Sequence, residues 1–203
     1  AFVVNAFVSL LKRADMTRYE LFLRETRTYE IIEDVKNFRS EIGVLFLNGY
    51  NRDVLTKMFD DNRLTYTSLF KARPHIFVSK SNPLAKHKVV SLEDLEDFPY
   101  LSYDQGIHNS FYYSEEILSQ IPHKKSIVVS DRATLFNLLI GLDGYTIATG
   151  ILNSNLNGDN IVSIPLDVDD EIDIVYLKHQ KATLSKMGEK FLDNLVKEVT
   201  FDN

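Results

Sequence analysis

One segment limits the architecture more than any other. Glu41 to Leu47, EIGVLFL, is a continuous apolar run of strand length. Such a run is the mark of a parallel strand covered on both faces. Apolar stripes at helical spacing flank it: Ile31, Ile32, Val35 and Phe38 before, and Val54, Leu55, Met58 and Phe59 after. Phe2 to Leu11 reads as a helix that is apolar nearly all round, which calls for burial on more than one side. Tyr19 to Thr26 (YELFLRET) reads as a strand. The order helix, strand, helix, strand, helix predicts a parallel sheet with crossover helices.

Leu64 to Lys80 is a long extended stretch broken by Pro74, read as a strand that leaves one lobe and enters another. Ser91-Leu-Glu-Asp94 is a capping box. A second α/β unit follows: strand Tyr100 to Tyr103, helix Asn109 to Gln120, strand Ser126 to Ser130, helix Arg132 to Leu142 and strand Tyr145 to Thr149. Asn157-Gly158 marks a turn. Two β runs, Ile161 to Val168 and Glu171 to His179, surround an acidic turn. A last helix, Ser185 to Val199, carries Met187, Phe191, Leu195 and Val199 on one face. The expected fold class is α/β, with two small three-layer units and a chain that passes between them twice. The length of 203 residues suits two such lobes.

Composition narrows the chemistry. Asp and Glu number 29 against 23 Lys and Arg, a net charge of −6 that argues against this chain gripping nucleic acid itself. Cysteine is absent, which removes disulfides, zinc fingers and thiol catalysis, and suits a cytoplasmic protein. No apolar run is long enough to span a membrane, and no signal peptide is visible. Ala1 sits inside an apolar stretch, so the chain reads as a fragment of something longer. The five histidines lack the i, i+4 spacing of a metal helix. The acidic run Asp167, Asp169, Asp170, Glu171, Asp173 lacks the glycine of a calcium loop and reads as a solvated hairpin turn. No phosphate-binding glycine motif or Gly-x-Ser-x-Gly elbow occurs. Glu115-Glu116 are expected in a helix, facing water. No metal, cofactor or catalytic site is expected.

What remains is the geometry of an open parallel sheet, where ligands sit beyond the carboxyl ends of the strands. This points to Arg24, Thr26 and Thr28 after one strand and to Phe46, Leu47 and Asn48 after another. In the second unit it points to Ser102, Asp104 and Gln105, to Ser130 and Asp131, and to Thr149. Thr28, Asn109 and Asp131 read equally as plain helix caps.

The segment His75 to Leu101, HIFVSKSNPLAKHKVVSLEDLEDFPYL, closely resembles the LysR-type transcriptional regulators at the crossover into the second lobe of their effector domain. The matching features are the apolar strand Ile76 to Val78, Pro83-Leu84-Ala85, Leu92-Glu-Asp94-Leu95 and Pro99. Ser40-Glu41-Ile42-Gly43-Val44 is similar to the family's Asp-Leu-Ala-Ile strand, with Glu41 in place of the usual Asp. Gly141-Leu-Asp-Gly144-Tyr145-Thr-Ile147-Ala148 resembles its Gly-x-Gly-Ile-Ala entry, although Thr149-Gly150 stands where a Pro often follows. The family's N-terminal winged helix-turn-helix and the first strand of its effector domain have no counterpart in this chain.

The resemblance implies two Rossmann-like lobes joined by two crossover strands, similar to periplasmic binding proteins. One lobe would be 1–72 plus 176–203, the other 73–175. It implies a small-molecule effector between the lobes, and DNA contact only through the absent helix-turn-helix domain. Arg24, Arg27 and the helix N-termini favour an anionic metabolite. The family's dimers pack the first helix against a second-lobe helix of the partner. Here Phe2–Leu11 and Ala133–Leu142 are the two helices with surplus apolar faces, so a homodimer is expected through Phe2, Val3, Phe7 and Leu10 against Phe136, Leu139 and Ile140. The rivals are a solute-binding protein of a transporter and an enzyme on the same scaffold, the latter with only Asp104 and Asp131 as cleft carboxylates.

Overall fold

A computed structural model describes residues 2–14, 17–152 and 159–200, the last three as backbone only. In chain order the elements are α1 (Phe2–Arg13), α2 (Thr28–Lys36), β1 (Gly43–Leu47), α3 (Arg52–Asp61), β2 (Leu64–Ala72), β3 (His75–Ser79), β4 (Tyr100–Tyr103), β5 (Ser126–Val129), α4 (Arg132–Gly141), β6 (Tyr145–Ala148), β7 (Ile161–Pro165), β8 (Ile172–His179) and α5 (Lys186–Thr200). Short 3-10 turns fill much of the space between β3 and β5.

Two sheets form, one per lobe. The first has the order β1-β8-β2, and the second β5-β4-β6-β3-β7. The stripes of α2 and α3 supply Ile32, Val35, Leu55 and Phe59 to the first core, which closes on Leu45, Leu47, Leu64, Val175 and Leu177. Helix α2 lies directly on the β1 backbone. A Cβ at Gly43 would stand 2.7 Å from Ile31 Cγ2 and 2.9 Å from Val35 Cγ2. In the second lobe α4 buries Leu135 and Leu139 against Phe77, Leu101 and Val129 on one face of the sheet. Ile76, Val78, Leu84, Leu95 and Ile147 fill the other face. The capping box forms as read: Ser91 N donates to Asp94 Oδ2 (2.8 Å), and Asp94 N donates to Ser91 Oγ (3.3 Å).

The two-lobe α/β architecture follows the sequence reading, but several details differ. Only β5-β4-β6 is parallel. The strand β3 runs antiparallel to β6 and β7, and β8 runs antiparallel to β1 and β2. Among the described residues Tyr19 to Thr26 joins no ladder and holds no regular secondary structure, with Phe22 83% exposed. A strand exists only where a neighbour completes its hydrogen bonds, and β1 is bonded on one side only among the described residues. Asn109 to Gln120 is not a helix. It holds a 3-10 turn at Phe111–Tyr113, capped by Ser110, whose Oγ accepts from Tyr112 N. Serine and asparagine offer the backbone such local alternatives to a helix. Phe38 lies outside α2 and packs on His179. The expected turn at Asn157-Gly158 lies outside the described residues.

The acidic stretch is no hairpin turn. It carries the chain from β7 in one sheet to β8 in the other. Asp173 is buried, accepting from Arg52 Nη2 at 3.1 Å and from Ser68 Oγ at 2.5 Å. Strand β8 enters the first sheet at Ile172.

Phe59 is fully buried where α3 meets β1, β2 and β8. Phe59→Ala should cost about 3–5 kcal/mol, read as a lowered midpoint in chemical denaturation.

Candidate functional site

A cavity of about 750 Å³ opens between the lobes. The first lobe contributes Thr26, Thr28 and the β1 residues Gly43 to Phe46, with Phe2 and Phe7 of α1 as one wall. The second contributes Tyr103, Glu115, Glu116, Arg132, Thr146 and Thr149. A smaller recess of about 530 Å³ adjoins it, lined in part by Arg24, Arg27, Asp34, Arg39, Gln105 and His108. Among the described residues no group of three metal-ligating side chains occurs.

Ion pairs and stacked rings tie the lobes together beside this space. Arg27 Nη2 donates to Asp104 Oδ2 at 2.6 Å, and its Nε to the Asp104 carbonyl at 3.1 Å. Gly106 makes room for that bridge: its φ is +62°, and a Cβ there would stand 2.7 Å from Arg27 Nη1. Arg132 pairs with Glu25 across the cleft and lies over the Tyr103 ring, 5.5 Å from its centroid. Tyr29 stacks on His108 at 3.5 Å, and Tyr50 on Tyr112 at 4.8 Å.

The cations are spoken for. Asp34, almost fully buried, takes both Arg24 and Arg39. The anionic ligand expected from Arg24 and Arg27 would therefore compete with Asp34 and Asp104 rather than meet a free guanidinium. The carboxyls are not all spoken for. Glu115 and Glu116 have no ion-pair partner among the described residues, and Glu116 Oε2 has no hydrogen bond. Burial pushes the Glu115 carboxyl up to about 7. Burial, with the neighbouring Glu115 charge, pushes Glu116 up to about 8, although its Oε1 accepts from Tyr103 N at 2.9 Å.

The expected ligand residues divide in two. Arg24, Thr26, Thr28, Phe46 and Thr149 line the main cavity, and Gln105 the smaller recess. Thr28 is the first residue of α2 rather than its cap, a position held by Arg27 without a side-chain hydrogen bond. Leu47 points into the hydrophobic core and is fully buried there. Asn48 is buried in the turn before α3, where its Oδ1 accepts from Tyr50 N and Asn51 N. Ser102 and Ser130 line neither space, and Asp104 is used up by Arg27 and by Gly106 N. Asp131 is an exposed helix cap for α4, accepting from Thr134 N at 2.8 Å. Asn109 follows the short 3-10 turn Gly106–His108 as its C-cap and opens no helix.

Sequence reasoning missed Tyr103, Glu115, Glu116, Arg132 and Thr146. Two adjacent glutamates read as solvent-facing because ionised carboxyls are seldom buried. Here the irregular chain after β4 folds back over Tyr103 and turns Glu116 inward, leaving it 3% exposed.

Both glutamates hold protons in the folded state that the unfolded chain releases at its ordinary value, near 4.5. Their contribution therefore favours folding at low pH and is lost as pH rises through 7 and 8. Melting temperature should fall by at least about 5 °C between pH ~6.5 and ~8.5. Glu116→Gln should flatten that slope and raise the melting temperature at the alkaline end; calorimetry across the pH series is the check.

The comparisons fit this architecture. The family model described as the LysR substrate binding domain matches residues 13–200. No curated protein matches the sequence. Among solved structures, the reduced OxyR regulatory domain from Pseudomonas aeruginosa superposes with a TM-score of 0.67 at 12% identity, over 98% of this chain and 90% of that one. The BenM effector binding domain with benzoate gives 0.63 at 18% identity, over 100% and 87%. The QuiR effector binding domain with shikimate gives 0.60 at 17% identity, over 96% and 88%. With a matching family model over nearly its whole length and the two-lobe fold of those domains, this chain belongs to the LysR substrate-binding domain family.

Proposed function

We propose that the cleft binds a small organic effector and that the chain is the sensing part of a LysR-type transcriptional regulator. The cavity between two lobes held by a few exchangeable contacts is the observation that carries this reading. It is supported by the family match and by two neighbours whose cleft-bearing domains were solved with shikimate and benzoate. A ligand that prefers one arrangement of the lobes shifts the population toward it. That shift reaches DNA only through an attached helix-turn-helix domain outside this chain. The role needs no turnover and no cofactor, and it places the protein in the cytoplasm. No helix among the described residues is long and apolar enough to cross a membrane. Nothing in the comparisons supports the transporter alternative.

The domain pairs with a second copy through α1 and α4. Val4 on α1, Ile140 on α4 and Leu142 just after it are exposed apolar residues on those elements. Leu10 and Leu139 are buried inside the protomer and drop out of the expected interface. Phe2 and Phe7 pack edge-on against Phe70 and Phe191 of the same chain, leaving Val3, Phe136 and Ile140 of the expected set better placed to meet a partner.

Two measurements test these claims. In a thermal-shift screen of small carboxylates, amines and polyols, at least one class should raise the melting temperature of the wild type. Thr149→Trp should abolish that response without altering the circular dichroism. If no class shifts the wild type, the effector reading is wrong. Ile140→Glu should convert a dimer to a folded monomer by light scattering, and an intact dimer would sink the proposed interface.

A further inference from the structure

The polar end of the cleft in the second lobe is unlike the rest of it. Among the described residues, three side chains on one stretch of chain, Tyr103, Gln105 and Glu116, carry polar atoms that nothing in the fold satisfies. Glu116 Oε2, the Tyr103 hydroxyl and both atoms of the Gln105 amide are buried without a hydrogen bond of normal geometry. Glu116 and Gln105 are each 3% exposed, and Gln105 sits beside Glu115. Buried groups of this kind cost about 1–3 kcal/mol each when left unsatisfied, so a cluster of them calls for an occupant.

The charge balance says what kind. The titratable groups facing the two glutamates are Arg132 on α4, Glu25 on the stretch before α2, and Tyr100 and Tyr103 on β4. One guanidinium thus stands against three carboxyls, and that guanidinium is already paired with Glu25. An anion entering here would meet two further carboxyls. A neutral group would leave both glutamates holding their protons, whereas a cation can take up their charge.

We propose that Tyr103, Gln105, Glu115 and Glu116 form a subsite for the organic cation of an effector, an alkylammonium or guanidinium head. An ammonium carries three N–H donors and no acceptor. Glu116 Oε2 and Tyr103 Oη are unclaimed acceptors on residues that line the main cavity, and Gln105 Oε1 is a third on the adjoining recess. Seating the cation draws off the protons that the buried glutamates otherwise keep, so binding releases protons and strengthens as pH rises. The apolar remainder of the ligand lies toward Leu135, Phe136 and Ile147, which line the same cavity. This inference rests on the effector reading above and assigns the chemical class of the ligand.

The test uses three probes of equal length that differ in charge: n-butylamine, n-butanol and butyrate. Butylamine at millimolar concentration should raise the melting temperature, while butanol and butyrate should not. Its affinity by calorimetry should rise at least about tenfold between pH ~6 and ~8, with proton release. Glu116→Gln should weaken butylamine at least about tenfold and remove the pH dependence. Glu115→Gln serves the same purpose if the first variant does not fold. Stabilisation by butyrate equal to or above that by butylamine would overturn the subsite, as would undiminished butylamine binding in the folded glutamine variants. Silence from all three probes would also overturn it, whereas the effector reading stands or falls on the broader screen.

Discussion

The whole arrangement depends on β8 finding its place between β1 and β2. That strand comes last in the chain, after the entire second lobe, yet it is the middle strand of the first sheet. Without it β1 and β2 share no hydrogen bond, and the core under α2 and α3 loses Val175 and Leu177. A central strand is satisfied on both edges only when the chain has completed its excursion and returned. The first lobe is therefore closed by long-range contacts. Arg52 and Ser68 hold Asp173 near the point of return, so the crossing is pinned by buried polar contacts as well as by the ladder.

Two crossings close together in space leave the lobes facing each other across a cleft. The contacts that span it are of a modest kind. Arg27 and Asp104 are each about two-fifths exposed, and such pairs are worth little in water. The Tyr29–His108 and Tyr50–Tyr112 stacks add area and direction. A cleft held by several weak contacts is stable enough to persist, and a ligand can re-weight it with a few kcal/mol of differential binding. The electrostatic character of the cleft follows from the same bookkeeping. Each arginine named here has a carboxylate, and the surplus negative groups are buried ones that shed their charge by keeping a proton.

Much of the fold was legible because local pattern and tertiary demand agree. The EIGVLFL run became β1, and the stripes at Ile32, Val35, Leu55 and Phe59 became the buried faces of α2 and α3. The Ser91–Asp94 box and the Asp131 cap formed as read, since both need only neighbours within three residues. The misreadings arose where a distant partner decides. Tyr19 to Thr26 has strand composition and, among the described residues, no ladder to join. Glu171 to His179 reads as a strand and is one from Ile172 on, with direction and partners set by β1 and β2 of the first lobe.

Candidate site residues were harder, for a related reason. Topological rules find the mouth of a sheet, and they located Thr26, Thr28, Phe46 and Thr149 at the cavity. They cannot tell an inward residue from an outward one, so Leu47 went to the core and Ser130 to solvent. By itself the sequence determined the two-lobe α/β plan, the helices and the family pattern, because hydrophobic periodicity and caps act over a few residues. Only the tertiary structure decided strand direction, the pairing of every cleft arginine and the burial of Glu116, because each depends on groups brought together from distant parts of the chain.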